Sequence, residues 1–335
     1  RLNDSCGSEP LRRAGVVLGA LGAEGVELAS RERPYHEQGE HGGDGEDHDL
    51  AARALLLGWS ASVRWLRGDL EGCRAQATRA YEAARTSGDN RALANAHTVL
   101  AMVAALDGDR GANDVHYLHA LDHATAARDV FQLIRIHTNR GSRQLEEGDC
   151  EGALVEVDLA LRLADLAGFA TFRGLALSNR GQALMGLGRL DEARAELESA
   201  RVVFERLGSS MAAYPYGSLG DIHRVRGDRV AARAAYERAI ALAEQTGDTQ
   251  GLVPALAGLA RLLAAEEPRA AAELSARALA CGPSLGRVSA LLAAADVALA
   301  AGDQPTALDR ARQAVREAGA VRDRAGVAEA HELLG

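Results

Sequence analysis

The sequence predicts an all-α chain built as an α-solenoid of stacked helical hairpins, and three observations carry that prediction. Turn dipeptides recur at a nearly fixed step. Gly68-Asp69, Gly108-Asp109, Gly148-Asp149 and Gly188-Arg189 stand 40 residues apart, Gly227-Asp228 follows after 39, and Glu267-Pro268 and Gly302-Asp303 mark two further units. Between the turns, apolar residues recur at three and four, as in Leu190, Ala193, Leu197, Ala200, Phe204 and Leu207, which is the stripe of one helix face. Apolar residues make up 47% of the 335 and aromatics only 4%. A chain rich in Ala and Leu packs helices closely and builds few sheets.

Residues 1–33 read as a degenerate first hairpin: Gly15 and Gly22 are seven apart, as Gly181 and Gly188 are, and Leu11, Val17, Leu18, Leu21 and Leu28 supply apolar surface. Residues 34–49, PYHEQGEHGGDGEDHD, are acidic and glycine-rich with no apolar period, which predicts a flexible loop. Residues 50–335 predict a superhelix of about seven hairpins, with Val327 to Leu334 starting a terminal capping helix. In the best-formed unit a short stripe (Leu177, Gly181, Leu184) precedes the turn at Gly188-Arg189 and the long stripe follows it. Such a pair of antiparallel helices cannot bury its apolar faces alone, so each hairpin needs neighbours.

Within the units a small residue stands twelve before another: Ala61/Cys73, Gly141/Ala153, Gly181/Ala193, Gly220/Ala232 and Ala295/Ala307. Small residues there let the two helices of a hairpin approach closely. Asn113 breaks the pattern in the second unit, and the sixth fits two registers, Gly258 with Ala270 or Ala271 with Ala278. Pro215 and Pro254 fall near the first turns of their helices, where a missing N–H is tolerated.

Charge and composition exclude several functions. With 38 basic and 47 acidic residues the net charge is −9, which argues against a nucleic-acid backbone as ligand. Every basic residue is Arg, so there is no P-loop lysine and no Schiff-base lysine. The cysteines Cys6, Cys73, Cys150 and Cys281 form no CxxC pair, and a reducing cytoplasm is the expected compartment. No charged-then-apolar leader and no run of about 18 apolar residues is present, so no membrane association is expected. The chain starts at Arg1 without Met, which reads as a piece of a larger protein. No GxSxG, P-loop or dinucleotide fingerprint occurs, so neither catalysis nor a cofactor is expected.

The series Gly181, Gly188, Ala193, Leu197, Ala200 returns as Gly220, Gly227, Ala232, Tyr236, Ala239 and as Gly141, Gly148, Ala153, Val157, Ala160. It resembles the tetratricopeptide repeat (TPR), over nearly the whole chain from Leu50 on. That resemblance implies a right-handed α-solenoid of TPR-like helical hairpins, the first helix of each lining a concave face that binds a protein or peptide partner or a small-molecule inducer. A period near 40, with SGDN (Ser87 to Asn90) and TGDT (Thr246 to Thr249) between units, is similar to the longer repeats of MalT-like and LuxR-family ATP-binding regulators. A sensor module of a bacterial transcriptional regulator is the function this implies. The alternatives are an assembly scaffold without a small ligand, and an enzyme or accessory protein whose repeats enclose a pocket.

Candidate ligand residues follow from their positions on the first helices. TNRGS (Thr138 to Ser142) and SNRGQ (Ser178 to Gln182) lie one repeat apart, which predicts a polar ladder of Asn139 near Asn179 and Arg140 near Arg180. A partly buried Arg needs a carboxylate or an anionic ligand, and an internal acid such as Glu146 or Glu147 is the structural alternative. Trp59, Trp65, Asn95, Arg135, Gln182, Tyr214, Asp221 and Arg224 complete the set, with the tryptophans expected in the core. His116, His119 and His123 share a helix face at a spacing that can ligate zinc. Tyr117 and Ala120 set the buried stripe there, which turns the histidines toward solvent without an evident fourth ligand, so no metal is expected. His36, His41 and His48 sit among acids in a glycine-rich stretch that offers no fixed coordination geometry.

Overall fold

The computed structural model describes residues 44–281, 286–321 and 323–334. The expected hairpin of residues 1–33 and most of the 34–49 segment lie outside them. The described residues form an α-solenoid of paired helices. The first two pairs are α1 (Asp44–Leu66) with α2 (Leu70–Ser87) and α3 (Asn90–Leu106) with α4 (Arg110–Ala126). The middle pairs are α5 (Val130–Glu146) with α6 (Cys150–Ala167), α7 (Ala170–Gly186) with α8 (Leu190–Arg206), and α9 (Ala213–Val225) with α10 (Arg229–Thr246). Last come α11 (Thr249–Leu263) with α12 (Pro268–Ala280), α13 (Arg287–Ala300) with α14 (Gln304–Val321), and the single helix α15 (Arg324–Leu334).

One boundary differs from the sequence reading. α1 begins at Asp44, so residues 44–49, expected in a loop, form its first turns. Acidic composition suits both outcomes, because acids are also favoured at the positive N-terminal end of a helix dipole.

The turn dipeptides work through one repeated device. A glycine such as Gly148 takes a left-handed φ of +77°, which closes the turn without a Cβ penalty. The Asp after it caps the next helix. Asp69, Asp109, Asp149 and Asp228 accept from the backbone N–H groups of Gly72, Ala112, Gly152 and Ala231 at 2.9 to 3.1 Å, each such cap contributing about 1 kcal/mol. Arg189 replaces the cap in the fourth hairpin and pairs with Glu192 instead.

Inside the hairpins, the small-residue pairs mark where the large residue one turn on must fit. A Cβ on Gly181 would stand 2.6 Å from Leu197 Cγ, so glycine there admits Leu197, which is fully buried. Asn113 breaks the size rule by satisfying its own amide, donating to the Ala101 carbonyl at 2.7 Å. In the sixth hairpin Ala271 and Ala278 are buried, which fixes that register. Pro254 is the sixth residue of α11, deeper than a first-turn proline.

Curvature follows from which helices touch. The first helices of successive hairpins pack on one another from α1 through α15, whereas among the described residues no two second helices form a comparable contact. A stack that is tighter along one edge bends toward that edge, so the first helices line the inner face. The bend brings distant repeats together: Gln250 Nε2 donates to the Trp65 carbonyl at 3.4 Å, and Gly68, Gly108 and Gly148 lie beside Thr249, Ala320 and Arg324. The hairpin turns of the first three units thus rest on the C-terminal half.

Candidate functional site

Arg135, midway along the inner face on α5, is 5% exposed. Its Nη1 donates to Asn95 Oδ1 at 2.5 Å, its Nη2 to Ser62 Oγ at 2.6 Å, and its guanidinium lies 4.6 Å above the Trp59 ring. Three successive first helices therefore hold one cation. Burial pushes its pKa down, to about 10, and it stays charged at neutral pH. Trp59, itself half-buried, packs on Phe131 at 5.5 Å, against the buried cluster of Phe131, Ile134, Phe169 and Phe172. Trp65 Nε1 is buried without a hydrogen bond among the described residues.

Among the described residues no hydrogen bond joins Asn139 to Asn179. Asn179 donates to Ser142 Oγ at 2.9 Å and to the Thr138 carbonyl at 3.4 Å, so its amide ties α7 to α5 through neighbours of Asn139. Arg140 Nη2 is 2.9 Å from Glu156 Oε1, and His137 holds the other oxygen of that buried carboxylate at 2.7 Å. Arg180 lies 3.2 Å from Asp158 and 3.0 Å from Glu196. Both arginines are neutralised by second-helix acids, and those acids are not Glu146 and Glu147. These two are held by Arg143 at 3.1 and 3.0 Å, and Glu147 also pairs with Arg110.

Asn139 and Gln182 are half-buried, and neither makes a hydrogen bond among the described residues. They stand on the adjacent first helices α5 and α7. A primary amide presents two donors and one acceptor oxygen, the complement of a peptide bond.

Farther along, Tyr214 is hydrogen-bonded to Asp248, which burial raises above the usual carboxylate pKa. Asp221 accepts from Tyr236 Oη at 2.7 Å, and burial raises its pKa as well. Arg224, 3.7 Å from Asp221, borders a cavity of about 420 Å³ shared with Arg261, Asp296 and Glu329. Arg261 binds both of those carboxylates, joining α11, α13 and α15. Sequence reading passes over these last three residues, although they continue the first-helix positions of Asp221 and Arg224.

The three histidines of α4 do not simply face water. His116, His119 and His123 surround His97 of α3, their ring centroids 5.3, 5.0 and 5.7 Å from its own. The missing fourth imidazole comes from a different helix, where no local spacing could reveal it.

With that geometry in hand, comparison with known proteins gives one family match and one fold. Residues 172–244 match the sequence model of the tetratricopeptide repeat. Among solved structures the chain is similar to a Rap protein complexed with competence and sporulation factor, at 14% identity over 95% of this chain and 91% of that one, with a TM-score of 0.66. It is similar to the apo form of RapI, at 14% identity over 80% and 98% of the two chains and a TM-score of 0.57. It is also similar to yeast Tom70, at 13% identity over 99% and 76%, with a TM-score of 0.54. No curated protein sequence matches. At these identities the likeness is one of fold, a helical-repeat solenoid of the tetratricopeptide kind. Among the described residues no helix is long and apolar enough to cross a membrane.

Proposed function

We propose that the inner face binds a protein or peptide partner in extended form, without catalysing a reaction. The observation that carries this reading is the pair Asn139 and Gln182: two half-buried amides on neighbouring first helices whose hydrogen-bonding groups are not used among the described residues. Amides left unpaired at a partly dry surface lose free energy that a peptide backbone restores. The buried Arg135 lies on the same face, held rigidly by Asn95, Ser62 and Trp59. The structural likeness to a Rap protein that was solved with competence and sporulation factor supports a peptide over a small-molecule inducer.

The finer reading is that the chain is the sensing module of a cytoplasmic bacterial transcriptional regulator. Its support is the 40-residue period, which is similar to the repeats of MalT-like and LuxR-family regulators. In such an arrangement a bound peptide would shift the population between two packings of the solenoid.

Affinity selection from a library of random hexapeptides, followed by fluorescence anisotropy on the selected sequence, tests the binding reading. Asn139→Ala with Gln182→Ala is expected to weaken that peptide at least about tenfold, a loss of roughly 1.4 kcal/mol, while Arg189→Ala in the hairpin turn leaves it unchanged. Equal binding by the double variant and the native chain overturns the assignment. The regulator reading requires a nucleotide-binding or helix-turn-helix module in the same reading frame; a frame with neither overturns it.

A further inference from the structure

We propose that His97, His116, His119 and His123 form a transition-metal site that clamps the two helices of the second hairpin and takes an imidazole-preferring divalent ion, Zn²⁺ above all. His119 and His123 are four apart on α4, so their rings leave one face of the helix together, and His116 stands one turn before them. His97 projects from α3 into the middle of this row. With a metal–nitrogen bond of about 2.0 to 2.1 Å, rings arranged tetrahedrally about one ion have centroids roughly 5.2 Å apart. The observed separations from His97 are 5.0, 5.3 and 5.7 Å.

His97 Nδ1 and His116 Nδ1 face each other at 3.1 Å, so one ring donates to the lone pair of the other. His123 Nδ1 is 2.9 Å from Asn90 Oδ1. Because that oxygen only accepts, Nδ1 carries the proton and Nε2 is left with its lone pair outward, the outer-shell arrangement typical of metal-bound histidine.

Entry is open, since His119 is exposed, while Tyr81 of α2 closes the far side with its ring 5.2 Å from His97. As the side chains lie among the described residues, no three of them are placed to hold a metal ion. Binding therefore exchanges the His97–His116 hydrogen bond for two metal bonds and rotates His119 and His123 about their side-chain torsions. A four-nitrogen set of this kind discriminates against Mg²⁺ and Ca²⁺, which take oxygen ligands.

The test is Co²⁺ titration of the untagged chain, read by visible d–d absorption, with Zn²⁺ as competitor. The expected result is a saturable one-to-one complex with the intense bands of tetrahedral cobalt, displaced by Zn²⁺ and accompanied by a rise in Tm of a few degrees. His119→Ala with His123→Ala is expected to abolish it, and His119→Ala alone to weaken it at least tenfold; the exposure of His119 keeps that single variant folded. Replacing His36, His41 and His48 together by Ala should leave it intact. Absence of saturable binding, weak octahedral bands, or binding that survives in the His119/His123 double variant would each overturn the proposal.

Discussion

Asn95 and Arg135 stand 40 residues apart and share a hydrogen bond of 2.5 Å between Oδ1 and Nη1, while the same Asn95 side chain donates through Nδ2 to the Leu55 carbonyl at 3.2 Å. One amide thus bridges the backbone of α1 to the cation buried beside Trp59. Among the described residues no carboxylate neutralises Arg135, so its stability rests on these neutral partners. Asn95→Ala leaves a buried guanidinium half-solvated and is expected to destabilise the chain by about 2 to 3 kcal/mol. Asn95→Leu with Arg135→Met, which removes both polar groups, should cost less than the sum of the single changes. Urea denaturation of the native chain, Asn95→Ala, Asn95→Leu, Arg135→Met and the double variant measures both.

Tyr236 fills the space above two glycines at once. A Cβ on Gly258 would lie 2.5 Å from its ring and one on Gly220 2.6 Å, and Asp221 fixes the hydroxyl. Gly258→Ala is therefore expected to cost about 1 to 3 kcal/mol by overpacking. A methyl added to Gly217 of α9 would meet nothing within 4 Å, so Gly217→Ala should instead gain up to about 1 kcal/mol. Opposite shifts in Tm for these two substitutions are the signature.

Arg128 occupies the linker position that Gly88, Gly168, Gly208 and Gly247 hold elsewhere, and it adopts a φ of +51°. An L side chain in that region is strained. Arg128→Gly is expected to stabilise by about 1 kcal/mol despite the greater freedom of the unfolded chain, visible as a higher urea midpoint with an unchanged slope.

Acid should loosen the second hairpin. His97 titrates at about 4 when folded, below its ordinary 6.5, so between those values the unfolded chain binds more protons and stability falls as pH falls. The stability is complete above pH 6.5. The full contribution is about 3 kcal/mol at most. Facing groups share the effect: His116, lowered in the same sense, loses stability in the same direction, and Asp109 opposes its shift. The buried acids Glu146, Asp221, Asp248 and Asp323, all raised, act with the opposite sign on acidification. Comparing native chain and His97→Gln across pH 7 to 4.5 isolates the histidine; the variant should show the shallower acid loss.

The fold is legible in the sequence because its determinants are local and repeated. Gly148 with Asp149 and the pair Gly181/Leu197 each act within one hairpin, and a period of 40 multiplies the signal. Candidate binding residues are less legible, since their partners come from other helices. For Arg140 and Arg180 the sequence suggests an internal acid such as Glu146 or Glu147, whereas the acids that face them are Glu156, Asp158 and Glu196 from second helices. His97 lies 19 residues before His116, a separation set by the hairpin crossing and carried by no motif. The start of α1 at Asp44 is hidden because acids that favour a helix N-terminus are also the composition of a loop.

The contacts of Trp65 with Gln250 and of Gly148 with Arg324 change what kind of thermodynamic object the chain is. In an open array each unit feels only its neighbours, and damage at one end stays there. Here the ends of the series are linked through space, so the repeats form a closed circuit in which an early hairpin and a late one melt as a single cooperative unit. Loosening α15 is therefore felt at the turn of the third hairpin without passing through the repeats between them.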